Sequence, residues 1–139
     1  MKQLIATGTI EIEATASRVW DVLVKCEHIR EWDDVPETFN ADSLSLGSVL
    51  EWNGSARLTV TRFELAQYVQ MSYHNPKWEG EVDGIVYAFE VDSSNGPSVL
   101  SISVGDWAKA PDGKGEDYHQ ASVEFVQDAL SKIKEIAER

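Results

Sequence analysis

The sequence predicts one α+β domain over residues 1–139, in which a curved antiparallel sheet wraps around a long C-terminal helix. Runs of alternating apolar and polar residues, separated by turn residues, fill most of the chain before residue 105, as half-buried strands do. From about Asp117 to Glu138 the apolar period lengthens to about 3.6 residues, the period of a helix. A chain of 139 residues is long enough for one core, and neither a linker nor an internal repeat divides it.

Composition restricts the class of protein. With 42% hydrophobic and 26% charged residues the chain resembles ordinary globular domains. The net charge of −12 would repel a phosphate backbone, so no nucleic acid is expected as a partner. The chain starts without an apolar leader and has no run of membrane-spanning length, so we expect a cytoplasmic protein without membrane insertion. The single cysteine, Cys26, has no partner for an intrachain disulfide and is expected to be a packed thiol.

The first third of the chain predicts a strand followed by two short helices. Apolar and polar residues alternate over 4–14, and the hydroxyl residues Thr15–Ser17 can cap a helix start. Helical spacing then continues until residues 26–28 interrupt it. A second short helical turn is anchored by Trp32 and ended by residues 33–36, which include two aspartates and a proline.

A meander of strands follows. The predicted strands are Val49–Trp52, Arg57–Glu64, Tyr68–His74, Ile85–Val91 and Val99–Val104. Asn53-Gly54 predicts a tight hairpin between the first two, since these residues accept positive φ angles. Asn95-Gly96-Pro97 predicts the last turn. On the C-terminal helix the predicted inward residues are Tyr118, Ala121, Phe125, Val126, Ala129, Leu130, Ile133, Ile136 and Ala137.

Three segments resemble START-like (SRPBCC) proteins. Residues 10–23, Ile-Glu-Ile-Glu-Ala-Thr-Ala-Ser-Arg-Val-Trp-Asp-Val-Leu, are similar to the family opening, where a strand runs into a small-residue turn and a Val-Trp-x-x-Leu helix. Trp32 stands where the family usually keeps a tryptophan, and residues 46–49 resemble the segment with the glycine before its second strand. The chain is similar over nearly its whole length to bacterial homologues of the activator of a heat-shock-protein ATPase. It lacks the double glycine and aromatic-rich second strand of many bacterial members.

The resemblance implies a helix-grip fold, also known from plant pollen allergens, with a hydrophobic ligand pocket between the sheet and the C-terminal helix. Members of this superfamily include lipid carriers, polyketide cyclases, hormone receptors and cochaperones. The fold therefore does not by itself select a function.

Residues from several elements form the candidate binding set. Strand alternation and the helix stripe direct most of their side chains towards one interior, where they either line a cavity or pack as ordinary core. These candidate ligand-binding residues are Trp32, Trp52, Met71, Tyr73, Tyr87, Trp107 and Phe125. The hydroxyls of Tyr73 and Tyr87 could orient the polar end of a small apolar ligand, lipid-like or aromatic.

Chemistry-bearing patterns are sparse. His28, His74 and His119 lie far apart and lack metal-ligand spacing, and no nucleophile motif or phosphate-binding glycine loop is present. Acidic residues at strand spacing, 11/13 and 79/81/83, predict solvated faces. Glu51 and Glu90 are embedded in strands, but their parity points them outward. We therefore predict no catalytic residue, no metal and no cofactor.

Three functions remain open at this stage. The first is a noncatalytic carrier or sensor of a small apolar molecule. The second is a cochaperone-like protein that contacts a chaperone ATPase, which only the resemblance suggests. The third is a cyclase, dehydratase or hydrolase in which Tyr73, Tyr87 or His74 transfers a proton. The ligand, the oligomeric state and the pathway are not predicted.

Overall fold

An antiparallel sheet with strand order β1-β6-β5-β4-β3-β2 forms the body of the computed structural model, which describes residues 2–52, 54–80, 82–94 and 96–139. Its strands are β1 (Ala6–Ile12), β2 (Val49–Trp52), β3 (Ala56–Glu64), β4 (Tyr68–His74), β5 (Val86–Asp92) and β6 (Ser98–Gly105). The helices are α1 (Ala16–Val24), α2 (Cys26–Trp32) and α3 (Gly115–Ala137), with a 3₁₀ turn at Trp107–Lys109. The predicted α+β architecture with two short helices and a long C-terminal helix is confirmed.

The two short helices meet at a break of one residue. Thr15 caps α1 as predicted, since its hydroxyl oxygen accepts a hydrogen bond from the Arg18 amide at 3.1 Å. The break lies at Lys25, which is extended and bridges to Ser43, so the predicted interruption at residues 26–28 is wrong. Cys26 begins α2 and is 1% exposed, and burial raises the pKa of its thiol. A local pattern could not show this break, because Ser43 supplies the pairing from a distant segment.

The strand pairings follow the predicted hairpins. Trp52 pairs with Ala56 across the β2–β3 turn, and Gly54 has the positive φ of 72° that such a turn requires. Asn53 and Asn95, to which the turn predictions also refer, and Glu81 of the predicted acidic face lie outside the described residues.

Helix α3 lies directly on the strands at one edge of the sheet. Ile133 has no exposed surface and Val126 is 1% exposed, as the predicted stripe requires. A Cβ atom on Gly8 of β1 would lie 2.7 Å from Leu130 Cδ1, so the glycine permits this close approach. A hydrogen bond also joins α1 to the end of α3, because Arg18 Nη2 donates to the carbonyl of Ile136 at 2.9 Å. The C-terminal part of α3 therefore lies in close contact with β1 and α1.

The N-terminal third of α3 differs from this tight contact. Tyr118 and Phe125 are partly exposed and Ala121 is exposed, whereas Ser122 is buried. The predicted inward face is therefore only partly covered here, and this opening forms the pocket described below. In the described part of the chain no helix is long and apolar enough to cross a membrane.

Candidate ligand pocket

A pocket of about 330 Å³ lies between the N-terminal third of α3 and strands β2 to β5. Its wall is formed by Asp33, Trp52, Ala56, Leu58, Tyr73, Tyr87, Trp107, Tyr118, Ala121, Ser122 and Phe125. Several of these side chains are only partly buried, so the pocket opens to solvent. Strand alternation brings Leu58, Tyr73 and Tyr87 to the same face of the sheet, because paired strands keep side chains in register.

Aromatic rings in mutual contact make up most of this wall. Tyr73 and Tyr87 stack with ring centroids 6.3 Å apart and an interplanar angle of 26°. Phe125 meets Tyr87 edge to face at 5.8 Å, and Trp107 meets Tyr73 edge to face at 5.0 Å. Both arrangements are ones that aromatic pairs prefer. The rings therefore support one another and form a preformed apolar surface.

Trp107 forms the floor of the pocket. Its indole Nε1 donates to Ser122 Oγ at 2.7 Å, and its backbone amide donates to the carbonyl of Leu4 at 2.9 Å. Trp107 is 3% exposed and Ser122 is 4% exposed, so the hydrogen bond between them is shielded from water. This bond fixes the ring plane and satisfies a serine that interrupts the apolar stripe of α3.

A carboxylate from the loop before α3 holds two aromatic side chains at the edge of the pocket. Asp112 Oδ2 accepts hydrogen bonds from Trp78 Nε1 at 3.1 Å and from the Tyr118 hydroxyl at 2.5 Å, while Oδ1 accepts from the Lys114 amide at 3.0 Å. Trp78 packs edge to face on Tyr73 at 5.8 Å. The Tyr118 hydrogen bond holds the pKa of Asp112 below its usual range, and Asp112 raises the pKa of Tyr118 to about 12. We call Trp78, Asp112 and Tyr118 the Asp112 latch.

Replacing Asp112 with alanine is expected to lower the melting temperature at neutral pH, because Trp78 and Tyr118 lose their shared acceptor. The native pKa of Asp112 lies below its ordinary value, so its stabilising effect is present above the unfolded-state pKa and is lost as pH falls through the native one. The gap between wild type and variant should therefore narrow below about pH 4. Thermal unfolding followed by circular dichroism from pH 3 to 7 measures this. A gap that stays constant over that range would contradict the latch.

Two polar groups face the pocket with few partners. None of the hydrogen bonds among the described residues involves the Tyr87 hydroxyl, which therefore keeps some contact with solvent, and burial of the side chain raises its pKa above the usual tyrosine range. Asp33 keeps contact with solvent, yet protein atoms around its carboxylate and the charge of Asp34 raise its pKa. Trp52 is oriented nearby, since its Nε1 donates to Asp34 Oδ2 at 3.2 Å. The pocket is thus apolar with a hydroxyl donor and a carboxylate.

The predicted residues divide into two groups. Trp52, Tyr73, Tyr87, Trp107 and Phe125 line the pocket. Trp32 and Met71 lie in the core behind it: both are 7% exposed, and the Trp32 indole donates to the carbonyl of Val22 at 2.8 Å. Ligand binding by this set stays a prediction, which the experiments below test.

Sequence reasoning missed several wall residues. Tyr118 and Ala121 were on the predicted inward stripe of α3, so a signal existed for them. The sequence indicated Asp33 only as part of a helix end, and in the structure Asp33 does cap the C-terminus of α2. Ser122 carried no periodic signal, because it breaks the apolar stripe of α3. Trp78, which is not on the wall but packs on Tyr73, lies in a loop and carried none either.

The histidines and the strand carboxylates remain outside the site. His74 follows Tyr73 on β4 and points to the other face, so it is not part of the pocket wall. Glu51 and Glu90 are exposed, as their parity predicts. Among the described residues no group of three His, Cys, Asp or Glu side chains could hold a metal ion.

The larger surface concavities differ from this pocket because their walls contain several charged side chains. One of about 750 Å³ lies between the turns that join β3 to β4 and β5 to β6. Its wall includes Arg62, Glu64, Glu90 and Asp92, which are hydrated side chains on the protein surface. The smaller aromatic pocket is the better candidate site, because ligand sites are mostly apolar with few polar groups.

The curved sheet, the two short helices and the long α3 packed over the sheet define the helix-grip fold of START-like (SRPBCC) proteins. Solved structures share it. The Aha1 dimer from Colwellia psychrerythraea matches with a TM-score of 0.67 and 14% identity, covering 96% of each chain. A protein of Bacillus halodurans matches with a TM-score of 0.71 and 16% identity, covering 99% of this chain and all of the other.

DynU16, a protein of the dynemicin biosynthetic locus, also has this fold. It matches with a TM-score of 0.62 and 9% identity over 94% of this chain and 47% of its own. No protein-family model and no curated protein matches the sequence. At these identities the likeness defines the fold, and the function has to be argued from the pocket.

Proposed function

We propose that this protein is a noncatalytic carrier or sensor that binds one small, largely apolar molecule in the pocket beneath α3. The observation that supports it most is the preformed aromatic wall. Its rings, which belong to Tyr73, Tyr87, Trp107 and Phe125, hold one another in place and enclose a pocket of about 330 Å³. A cytoplasmic site of action is part of the proposal.

Energetics favours an apolar ligand. Transfer of apolar surface from water into such a pocket yields about 25 cal/mol per Å² of buried area. The rings lose little freedom on binding, because their contacts and the Trp107–Ser122 hydrogen bond already hold them. The free hydroxyl of Tyr87 can donate to one acceptor on the ligand and so fix its orientation.

Filling the pocket from α3 should abolish binding. Ala121 is exposed and lies on the pocket wall, so Ala121→Trp places an indole there without opening the core. We expect wild type to bind the neutral probe N-phenyl-1-naphthylamine at one molecule per chain and Ala121→Trp to bind at least about tenfold more weakly, since an occupied pocket excludes the probe. Probe fluorescence in an equilibrium titration measures both affinities.

The matched control is Gln120→Trp, which adds the same side chain at the neighbouring exposed position of α3, outside the pocket wall. It should bind like wild type. Equal weakening in both variants, or no saturable binding by wild type, would overturn the proposal. Native mass spectrometry of the purified protein then identifies any molecule that copurifies with it.

A second candidate function is contact with a chaperone ATPase. It is supported by the sequence resemblance to bacterial homologues of the activator and by the fold shared with Aha1 over 96% of the chain. Its test is the turnover of the purified chaperone ATPase with and without this protein. Unchanged turnover at saturating protein would remove this candidate and leave the carrier proposal intact.

A further inference from the structure

We propose that the pocket selects a small organic cation, an amine or quaternary ammonium group on an aromatic or alkyl body, over neutral and anionic molecules of the same shape. This inference rests on the proposed function, because it names the chemistry of the ligand in the same pocket.

Aromatic side chains make up more than half of the residues in the wall. Six aromatic side chains from four strands or turns and from α3 surround it: Trp52, Tyr73, Tyr87, Trp107, Tyr118 and Phe125. Their centroids lie 5.0 to 6.3 Å apart in the contacts that join Tyr73 to Tyr87 and Trp107, Tyr87 to Phe125, and Trp107 to Tyr118. The face of each ring is electron-rich and attracts a cation within about 6 Å of its centroid.

The charge of the wall has one sign. Asp33 is an acid on the wall, and none of the described wall residues is lysine, arginine or histidine. Asp33 forms no ion pair within the described residues, and after burial and Tyr73 its charge contributes to the raised pKa of Tyr87. Lys132 of α3 acts on Asp33 from a distance. The carboxylate therefore lacks a close countercharge, which a bound ammonium group would supply.

A second carboxylate, that of Asp112, lies outside the pocket wall and contacts it through Tyr118. Asp112 Oδ2 accepts a hydrogen bond from the Tyr118 hydroxyl at 2.5 Å, and burial together with the charge of Asp112 raises the pKa of Tyr73. Both tyrosines of the stacked pair thus feel an acid, Tyr87 from Asp33 and Tyr73 from Asp112. An anionic ligand such as a fatty acid would meet this potential, and the net charge of −12 adds to it.

The size of the pocket suits a compact head group with one ring or a short chain. A neutral hydrophobe that covered part of the Asp33 carboxylate would remove water from it without replacing that water by a polar contact. A cation replaces that water with an ionic contact and with the ring faces. Charge complementarity therefore favours a cationic ligand over a neutral ligand of the same shape in this pocket.

The experiment compares three probes that differ in charge and little in shape: benzyltrimethylammonium, its neutral carbon isostere neopentylbenzene, and the anion 3-phenylpropanoate. Each is titrated at constant ionic strength against protein loaded with N-phenyl-1-naphthylamine, and its displacement gives the affinity. We expect benzyltrimethylammonium to bind at least about threefold more tightly than neopentylbenzene, because cation–π contacts in a pocket that opens to solvent are weaker than in a desolvated one but still favour the cation. The anion should bind weakest.

Asp33→Asn should remove most of the preference for the cation, because benzyltrimethylammonium should bind more weakly than to wild type and neopentylbenzene should bind no more weakly. Glu37→Gln is the matched control, because it removes an exposed acid four positions later that is not part of the pocket wall. Its preference should match that of wild type. Equal or tighter binding of the neutral or anionic probe would overturn this inference and leave the carrier proposal standing. Failure of N-phenyl-1-naphthylamine itself to bind would overturn both.

Discussion

Replacing Trp107 with alanine is expected to lower the free energy of unfolding by about 3–5 kcal/mol, the range for truncation of a buried tryptophan. Trp107 is 3% exposed, and its ring centroid lies 5.0 Å from both Tyr73 and Tyr118. The substitution removes the pocket floor and leaves the buried Ser122 hydroxyl without its donor. Urea denaturation followed by circular dichroism measures the change.

Trp107→Phe separates the two causes. Phenylalanine keeps much of the ring packing and removes the indole donor, so we expect a smaller loss of about 1–3 kcal/mol, the cost of an unsatisfied buried polar group. A Trp107→Ala variant within about 1 kcal/mol of wild type would show that neighbouring residues close the gap. The same result would show that Trp107 is not a rigid floor of the pocket.

Gly8→Val is expected to lower the free energy of unfolding by about 2–3 kcal/mol, because overpacking a filled core forces side chains out of their rotamers. A Cβ at this position would lie 2.7 Å from Leu130 Cδ1 and 2.8 Å from Val126 Cγ1. Both partners are buried side chains, and valine adds two further carbons to the clash. Thermal and urea unfolding should agree on the loss.

The control is Thr7→Val on the opposite face of the same strand. Thr7 is exposed and pairs with Ser103 of β6, so valine there should change stability by no more than about 0.5 kcal/mol. A strand that tolerated valine equally at both positions would show that α3 does not press on β1. The pair of variants therefore reports on the helix–sheet contact and not on strand propensity.

Local patterns were sufficient for most of the fold. The alternation of Val69, Met71 and Tyr73 predicted the inner face of β4, and the Thr15 hydroxyl predicted the start of α1. The break at Lys25 was misplaced by one to three residues, since its cause is a bridge to Ser43. Signals of short range predict elements well, and contacts between distant segments shift their ends.

The sequence by itself determined the element order, the inward faces and five aromatic residues of the pocket wall, because period and residue type are local properties. Only the tertiary structure decided which aromatics face open space and which are core, as Phe125 and Trp32 show. It alone brought Asp33 and the Asp112 latch beside the tyrosine pair. Their positions depend on how loops and helix ends fold over the sheet, and no periodic pattern encodes that.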